Sequence, residues 1–151
     1  MNLNPIKMLL VEDNINDEML IRRALNKHNL ANEMQVVHDG EEALDFLYSR
    51  GKYKGFDNLA NLHLILLDLK LPKINGLDLL NIIKKDEKIQ SIPIAILTSS
   101  TEDSDMLQAY RMGVNSYIVK PIDFDKFIAA VSGLGLHWVI LNESPFREMN
   151  E

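Results

Sequence analysis

The chain has 151 residues, of which 46% are hydrophobic and 25% are charged, and this composition is typical of one soluble globular domain. Its formal net charge of −6 argues against a basic nucleic-acid-binding surface, and its lack of cysteine excludes disulfides and thiolate metal sites. The first residues do not form a signal sequence, and no apolar run approaches the roughly 20 residues that span a bilayer. We therefore expect a cytoplasmic protein that binds neither nucleic acid nor membrane.

Short apolar runs alternate with amphipathic segments along the chain. The apolar runs predict strands at 6–11, 34–37, 64–68, 92–97 and 116–119. Helical spacing predicts helices at 17–28, 41–48, 76–85 and 102–112, and a fifth from residue 124 onward. In the first helix the buried side is predicted to consist of Met19, Leu20, Ala24 and Leu25. Residues 50–61 show no clear period and are predicted to form a long loop or a frayed helix end.

The alternation of five strands with five helices indicates an α/β fold. We predict a doubly wound, flavodoxin-like parallel sheet of order 2-1-3-4-5 with helices on both faces, although periodicity alone does not determine the strand order. In this order the first and third strands are neighbours. The residues that follow Val11 and the residue that ends the third strand, Asp68, would then lie at the same edge of the sheet.

A carboxylate ends the most apolar strand, because Leu64 to Leu67 is followed directly by Asp68. A desolvated anion is costly unless something compensates it, so Asp68 is a candidate for function. Glu12 and Asp13 follow the first strand and would add two more carboxylates nearby. The negative charges of three neighbouring carboxylates repel one another unless a cation is present, and oxygen ligands without His or Cys suit Mg²⁺. The alternative is that the acidic pair only caps the first helix.

Two further strands end in residues that could contact an anion attached to Asp68. Thr98 closes the fourth strand and could donate a hydrogen bond from its hydroxyl, while Lys120 closes the fifth and could supply a positive charge. Each has a simpler explanation, since Thr98 could cap the next helix and Lys120 could be a solvated loop charge. Their common place at one sheet edge favours a shared site.

Four motifs resemble the signature of receiver domains of two-component response regulators: Glu12-Asp13, Asp68 with Leu71-Pro72 and Gly76, Thr98-Ser99, and Lys120-Pro121. The resemblance covers about residues 6–132, with the motifs in order and in register. It implies that Asp68 is a phosphoacceptor that attacks a phosphohistidine of a sensor histidine kinase. It also implies that Asp13, Asp68 and the backbone carbonyl of Lys70 hold Mg²⁺, or Mn²⁺ as a substitute, with Glu12 acting through a metal-bound water.

The resemblance assigns roles to the remaining positions of these motifs. Thr98 would hydrogen-bond a phosphoryl oxygen, Lys120 would pair with another, and Tyr117 would be the aromatic residue that turns inward as the protein switches. Ser99 would fill a position that favours small residues, Lys70 and Ser100 would tune hydrolysis of the acyl phosphate, and the Lys120–Pro121 peptide bond would be cis. A sensor kinase would dock around the site rim and the first helix, at Asn14, Asp17, Leu20 and Ile122, although core packing is an equally good explanation for Leu20.

The chain departs from an ordinary receiver domain at the loop 50–62 and after the fifth helix. Both departures resemble the stand-alone regulators that pair with bacterial phytochromes, in which a carboxyl-terminal extension helps to form a homodimer. We therefore expect a receiver domain at 1–132 and an extension at 133–151 whose apolar residues, among them Leu136, Trp138 and Ile140, contribute to a dimer interface. The alternative is that the extension folds back on its own domain.

The expected function is that of a signalling protein rather than an enzyme. No effector domain follows within the sequence, so output would pass to a downstream protein or a phosphotransfer domain, and the input kinase would be of the phytochrome kind. Two other classes remain open. A Mg²⁺-dependent phosphohydrolase would need a second acid for general catalysis and a substrate cap, neither of which is evident, and it would turn over a phosphoester. A degenerate interaction module would take up no phosphoryl group, although the complete set of motif residues argues against it.

Overall fold

The structure is a computed structural model that describes residues 7–27, 33–60, 62–99, 104–114 and 116–133. Within these residues the chain forms one parallel sheet of order β2-β1-β3-β4-β5, as predicted. The strands are β1 (Lys7–Val11), β2 (Glu33–Val37), β3 (Leu62–Asp68), β4 (Ile94–Thr98) and β5 (Ser116–Val119). The helices are α1 (Ile15–Asn26), α2 (Gly40–Leu47), α3 (Gly76–Lys85), α4 (Ser104–Arg111) and α5 (Phe124–Gly133). A short 3-10 turn, Gly51–Tyr53, precedes β3.

Each face of the sheet carries its own hydrophobic core, because side chains alternate between the two faces along every strand. On one face Leu9, Val11, Ile65 and Leu67 pack with residues of α2, α3 and α4. On the other face the intervening residues, Met8, Leu10, Leu64 and Leu66, pack with Ile21 and Leu25 of α1 and with Phe127 and Val131 of α5. Burial on both faces explains the uninterrupted apolar run of β3.

The register brings the carboxyl ends of the central strands level with one another. Val11 of β1 pairs with Leu67 of β3, so Glu12 follows β1 at the height of Asp68. Asp68 in turn pairs with Leu97 of β4. At the next strand the backbone N–H of Lys120 donates to the carbonyl oxygen of Thr98 over 2.7 Å. The predicted convergence of strand ends is therefore confirmed.

The prediction for the buried side of α1 was wrong in part. Met19 and Leu20 are 53% and 42% exposed, whereas Ile21, Leu25 and Glu18 face the interior. Residues 18, 21 and 25 lie along one side of the helix, and Met19 and Leu20 fall outside that stripe. The buried carboxylate of Glu18 accepts a hydrogen bond from the Arg22 side chain and pairs with His38, and these two partners compensate for its desolvation.

Element boundaries differ from the predicted ones by a few residues. β3 begins at Leu62, two residues early, and β4 covers Ile94–Thr98 rather than 92–97. Gly113 adopts a φ of +95° after α4, the left-handed conformation in which helices commonly end at a glycine. The predicted loop 50–61 contains a buried residue, Tyr53, whose ring packs edge-on against Phe46. In the described part of the chain no helix is long and apolar enough to span a membrane.

Candidate functional site

Three carboxylates meet at the carboxyl edge of the sheet. Asp68 is the last residue of β3, and Glu12 and Asp13 directly follow β1. Each of them offers an oxygen, and these oxygens lie within 4.8 Å of one another. Glu12 is fully buried and Asp68 is 6% exposed, whereas Asp13 faces solvent. The cluster thus has two buried members and one at its open side.

Lys120 supplies positive charge to this cluster from the end of β5. Its Nζ lies 2.7 Å from Oδ2 of Asp68 and 2.7 Å from Oε1 of Glu12, and its side chain is 16% exposed. Burial disfavours the ammonium form, but the surrounding carboxylates, Asp68 first among them, outweigh that effect and raise the pKa of Lys120. The lysine is therefore held in its charged form. The Lys120–Pro121 peptide bond is cis.

Glu12 is an acid whose burial changes its ionisation. Burial raises the pKa of Glu12 to about 7, and the adjacent carboxyl of Asp68 adds to the shift while Lys120 opposes it. Its Oε2 accepts a hydrogen bond from the N–H of Asn14 over 3.2 Å. Its Oε1 makes no hydrogen bond of standard geometry to any described residue, although the Lys120 ammonium is close. A buried carboxylate oxygen in this condition is suited to a further cation or to a cation-bound water.

The loop after β3 fixes the orientation of Asp68. The backbone N–H of Lys70 donates to Oδ1 of Asp68 over 2.9 Å, so Oδ1 and Oδ2 have different partners. Gly76 at the start of α3 closes this loop, because its N–H donates to the carbonyl of Leu69 over 2.9 Å. A side chain at Gly76 would overlap the backbone of Leu69, so only glycine permits this approach.

Thr98 and Ser99 line a small pocket together with Asp68, Lys70 and Lys120. Thr98 is buried at the end of β4, whereas Ser99 is exposed beside it. The pocket therefore presents a hydroxyl and an ammonium next to the Asp68 carboxylate, which is the set of donors that a phosphoryl group attached to Asp68 would meet. Tyr117 of β5 lies apart from this pocket, with 46% of its surface exposed.

The structure brings together most of the residues that the sequence analysis singled out. Glu12, Asp13, Asp68, Lys120 and Thr98 share one site, as their positions at strand ends predicted. Ser100 and the extension residues Leu136, Trp138 and Ile140 lie outside the described residues. The roles assigned to individual residues stay predictions, because geometry alone does not test them.

The prediction for the kinase-docking residues around the site is wrong for one residue and missed one contact. Ile122 is buried in the core beside Ile118 and Phe127 and is not a rim residue. Asp17, expected only as part of a docking surface, contacts Lys120 directly, with 2.9 Å between Oδ2 and Nζ. Nothing in the sequence pairs two residues that are 103 positions apart. Their proximity depends on α1 and α5 covering the same face of the sheet, which brings the start of α1 close to the end of β5.

Comparison with known proteins agrees with this fold and this arrangement of the site. Residues 8–132 match the family described as the response regulator receiver domain. The bacteriophytochrome response regulator RtBRR is 45% identical, and its solved structure aligns with a TM-score of 0.79 over 87% of this chain and 79% of that one.

Two further relatives cover nearly the whole chain. The probable methanogenesis regulatory protein FilR2 of Methanothrix harundinacea is 39% identical over 142 residues, which are 94% of this chain and 89% of FilR2. Response regulator Rcp1 of Synechocystis is 34% identical over 137 residues, which are 90% of this chain and 91% of Rcp1. A structure of the Mn²⁺-bound form of Rcp1 aligns with a TM-score of 0.71 at 32% identity, covering 89% of this chain and 95% of that one.

Proposed function

Because the chain belongs to the response regulator receiver domain family, we propose that Asp68 accepts a phosphoryl group from a phosphohistidine of a sensor kinase. The observation that carries this proposal is the pairing of Asp68 with Lys120 inside a group of carboxylates. A buried acid with one oxygen on a backbone N–H and the other on an ammonium is fixed in position for attack on a phosphoryl donor.

The step needs little beyond positioning and charge neutralisation. An oxygen of Asp68 attacks phosphorus, the new O–P bond forms, and the P–N bond to the donor imidazole breaks with its electron pair leaving on the ring nitrogen. The transition state is loose, so negative charge spreads over the equatorial oxygens. Lys120, 2.7 Å from Asp68, is placed to stabilise that charge, and Thr98 can donate to another oxygen of the product.

The acidic cluster has the donor set for a divalent cation, and we assign Mg²⁺ to it. Asp13, Asp68 and the backbone carbonyl of Lys70 would hold the ion, and buried Glu12 would act through a bound water. Mg²⁺ supplies positive charge to the transferring group when it is bound. Mn²⁺ would substitute for it, in keeping with the Mn²⁺-bound form of the similar protein Rcp1.

The partners follow from the same family. The donor would be a histidine kinase, and the similarity to RtBRR and to AtBRR, another bacteriophytochrome response regulator, favours a kinase of the phytochrome kind. Phosphorylation would bias Thr98 and Tyr117 and so change a surface that a downstream protein or phosphotransfer domain reads, without turnover of a substrate. We also propose a homodimer to which the extension at residues 133–151 contributes. A sedimentation mass of two chains supports the dimer, and a mass of one chain at all concentrations rejects it.

The direct test is labelling with a small phosphoryl donor. Wild-type protein with acetyl phosphate and Mg²⁺ should gain one acid-labile phosphate by intact mass, and Asp68→Asn should gain none. Asp125→Asn, which changes an acid in the first turn of α5, serves as the control and should label like the wild type. Undiminished labelling of Asp68→Asn would reject Asp68 as the acceptor.

A further inference from the structure

The ammonium of Lys120 contacts three carboxylates, and one of them lies outside the acidic cluster. Nζ is 2.7 Å from Asp68, 2.7 Å from Glu12 and 2.9 Å from Oδ2 of Asp17. An ammonium has three N–H donors, and its bonds to Asp17 and Asp68 have hydrogen-bond geometry. One donor of the lysine is thus directed away from the place where a phosphoryl group would be attached.

The start of α1 holds Asp17 in this position. The side chain of Asn14 caps the helix and accepts the backbone N–H of Asp17 over 3.0 Å, which fixes residue 17 in the first turn. The Asp17 side chain is 29% exposed and that of Lys120 16%, so the pair is partly shielded from solvent. Partial burial makes such a pair stronger than a surface ion pair.

We propose that Asp17 is a positioning residue that holds the Lys120 ammonium in the unphosphorylated protein and competes for it with the incoming phosphoryl group. This inference rests on the proposed function of Asp68. A phosphoryl donor approaches a site that already contains Glu12, Asp13 and Asp68, and Asp17 adds a further negative charge close to the lysine that must neutralise the donor.

Removing the charge of Asp17 therefore has a definite consequence. Asp17→Asn weakens the hold on Lys120 and reduces the repulsion of an anionic donor. The half-saturating concentration of acetyl phosphate and the dissociation constant of beryllofluoride, a phosphoryl mimic that is not transferred, should both fall about fivefold, the scale expected for one ion pair of this exposure. Asp17→Ala, which also removes the hydrogen-bond acceptor, should act in the same direction.

The chain offers a matched control at the start of α3. Asp78 has the same local role as Asp17, because its N–H is accepted by the capping residue Asn75 over 2.9 Å, and it lies in the first turn of its helix. Asp78 is exposed, and among the described residues the ion-pair partners of Lys120 are Glu12, Asp17 and Asp68 rather than Asp78. Asp78→Asn thus removes a first-turn acid and its interaction with the helix dipole without touching the site.

The experiment measures beryllofluoride binding by calorimetry in the presence of Mg²⁺, acetyl phosphate labelling by intact mass, and the unfolding midpoint of each variant. Tighter beryllofluoride binding and a lower half-saturating concentration in Asp17→Asn, with Asp78→Asn equal to the wild type in both, support the inference. Unchanged or weaker binding in Asp17→Asn overturns it, whatever the unfolding midpoints. If the wild-type protein takes up neither beryllofluoride nor phosphate, the proposed function of Asp68 is overturned together with the inference about Asp17. If the wild type takes up both and only the effect of Asp17→Asn is missing, the inference alone fails.

Discussion

Replacing Gly76 with alanine should disturb both the fold and the phosphoacceptor. A Cβ at this position would overlap Cα of Leu69 and would lie 2.7 Å from the carbonyl oxygen of Asp68. The three nearest atoms all belong to the backbone, so no side-chain rotation relieves the overlap. The loop between β3 and α3 must instead move by about 1.3–1.8 Å, because the approach to Cα of Leu69 is 2.2 Å and ordinary contact distances are about 3.5–4.0 Å.

The expected cost follows from these contacts. Overpacking typically costs about 1–3 kcal/mol, and a collision between backbone atoms belongs at the upper end, so we expect a loss of about 3 kcal/mol of unfolding free energy. The movement also displaces Asp68 and the N–H of Lys70 that orients its carboxylate. A misplacement of about an ångström can slow a reaction by about 100-fold, and we expect that scale for labelling by acetyl phosphate.

Urea denaturation and the rate of acetyl phosphate labelling measure the two effects. Gly133→Ala is the matched control, because a Cβ there meets nothing within 4 Å and the residue lies in the last turn of α5. It should leave labelling unchanged and leave stability equal or slightly higher, since alanine favours helix over glycine by up to about 1 kcal/mol. If Gly76→Ala is as stable and as active as Gly133→Ala, the reasoning about the close approach is wrong.

Three further predictions concern separate parts of the molecule. Lys120→Met should slow labelling by at least about 100-fold, the usual effect of removing one charge-stabilising donor, as a time course of intact mass would reveal. Tyr53→Phe should cost about 1 kcal/mol in urea denaturation, because it removes the 2.8 Å hydrogen bond to the partly buried carboxylate of Glu42. Burial and that bond raise the pKa of Tyr53 to about 12, so the contribution of Tyr53 to the unfolding free energy is complete below pH 10 and is lost between pH 10 and 12. If Tyr53→Phe loses as much unfolding free energy as the wild type over that pH range, this assignment is wrong. Leu20→Ser, at an exposed position, should slow transfer from a phosphorylated kinase while acetyl phosphate labelling and stability stay unchanged.

The sequence was most informative where one strand contains contradictory signals. An apolar run that is buried on both faces yet ends in Asp68 already indicates a compensated charge, and the motifs at other strand ends supply the compensation. Strand ends of a parallel sheet converge whatever the loops between them do, so the positions of Glu12, Thr98 and Lys120 could be predicted before the fold was known.

Predictions failed where the answer depended on contacts that are distant in sequence. Met19 and Leu20 are apolar but exposed, while charged Glu18 is buried and has His38, twenty residues later, as one of its partners. Hydrophobicity along one helix does not reveal such a partner. For the same reason the contact between Asp17 and Lys120 was missed.

The most direct measurement for the central claim identifies the phosphorylated residue chemically. Protein labelled with acetyl phosphate and Mg²⁺ is treated with borohydride, which reduces an acyl phosphate to an alcohol and so converts the modified aspartate to homoserine. Peptide mass spectrometry then locates the changed residue. We predict homoserine at position 68 alone; homoserine at Asp13 or at any other aspartate, with an unmodified Asp68, would contradict the account.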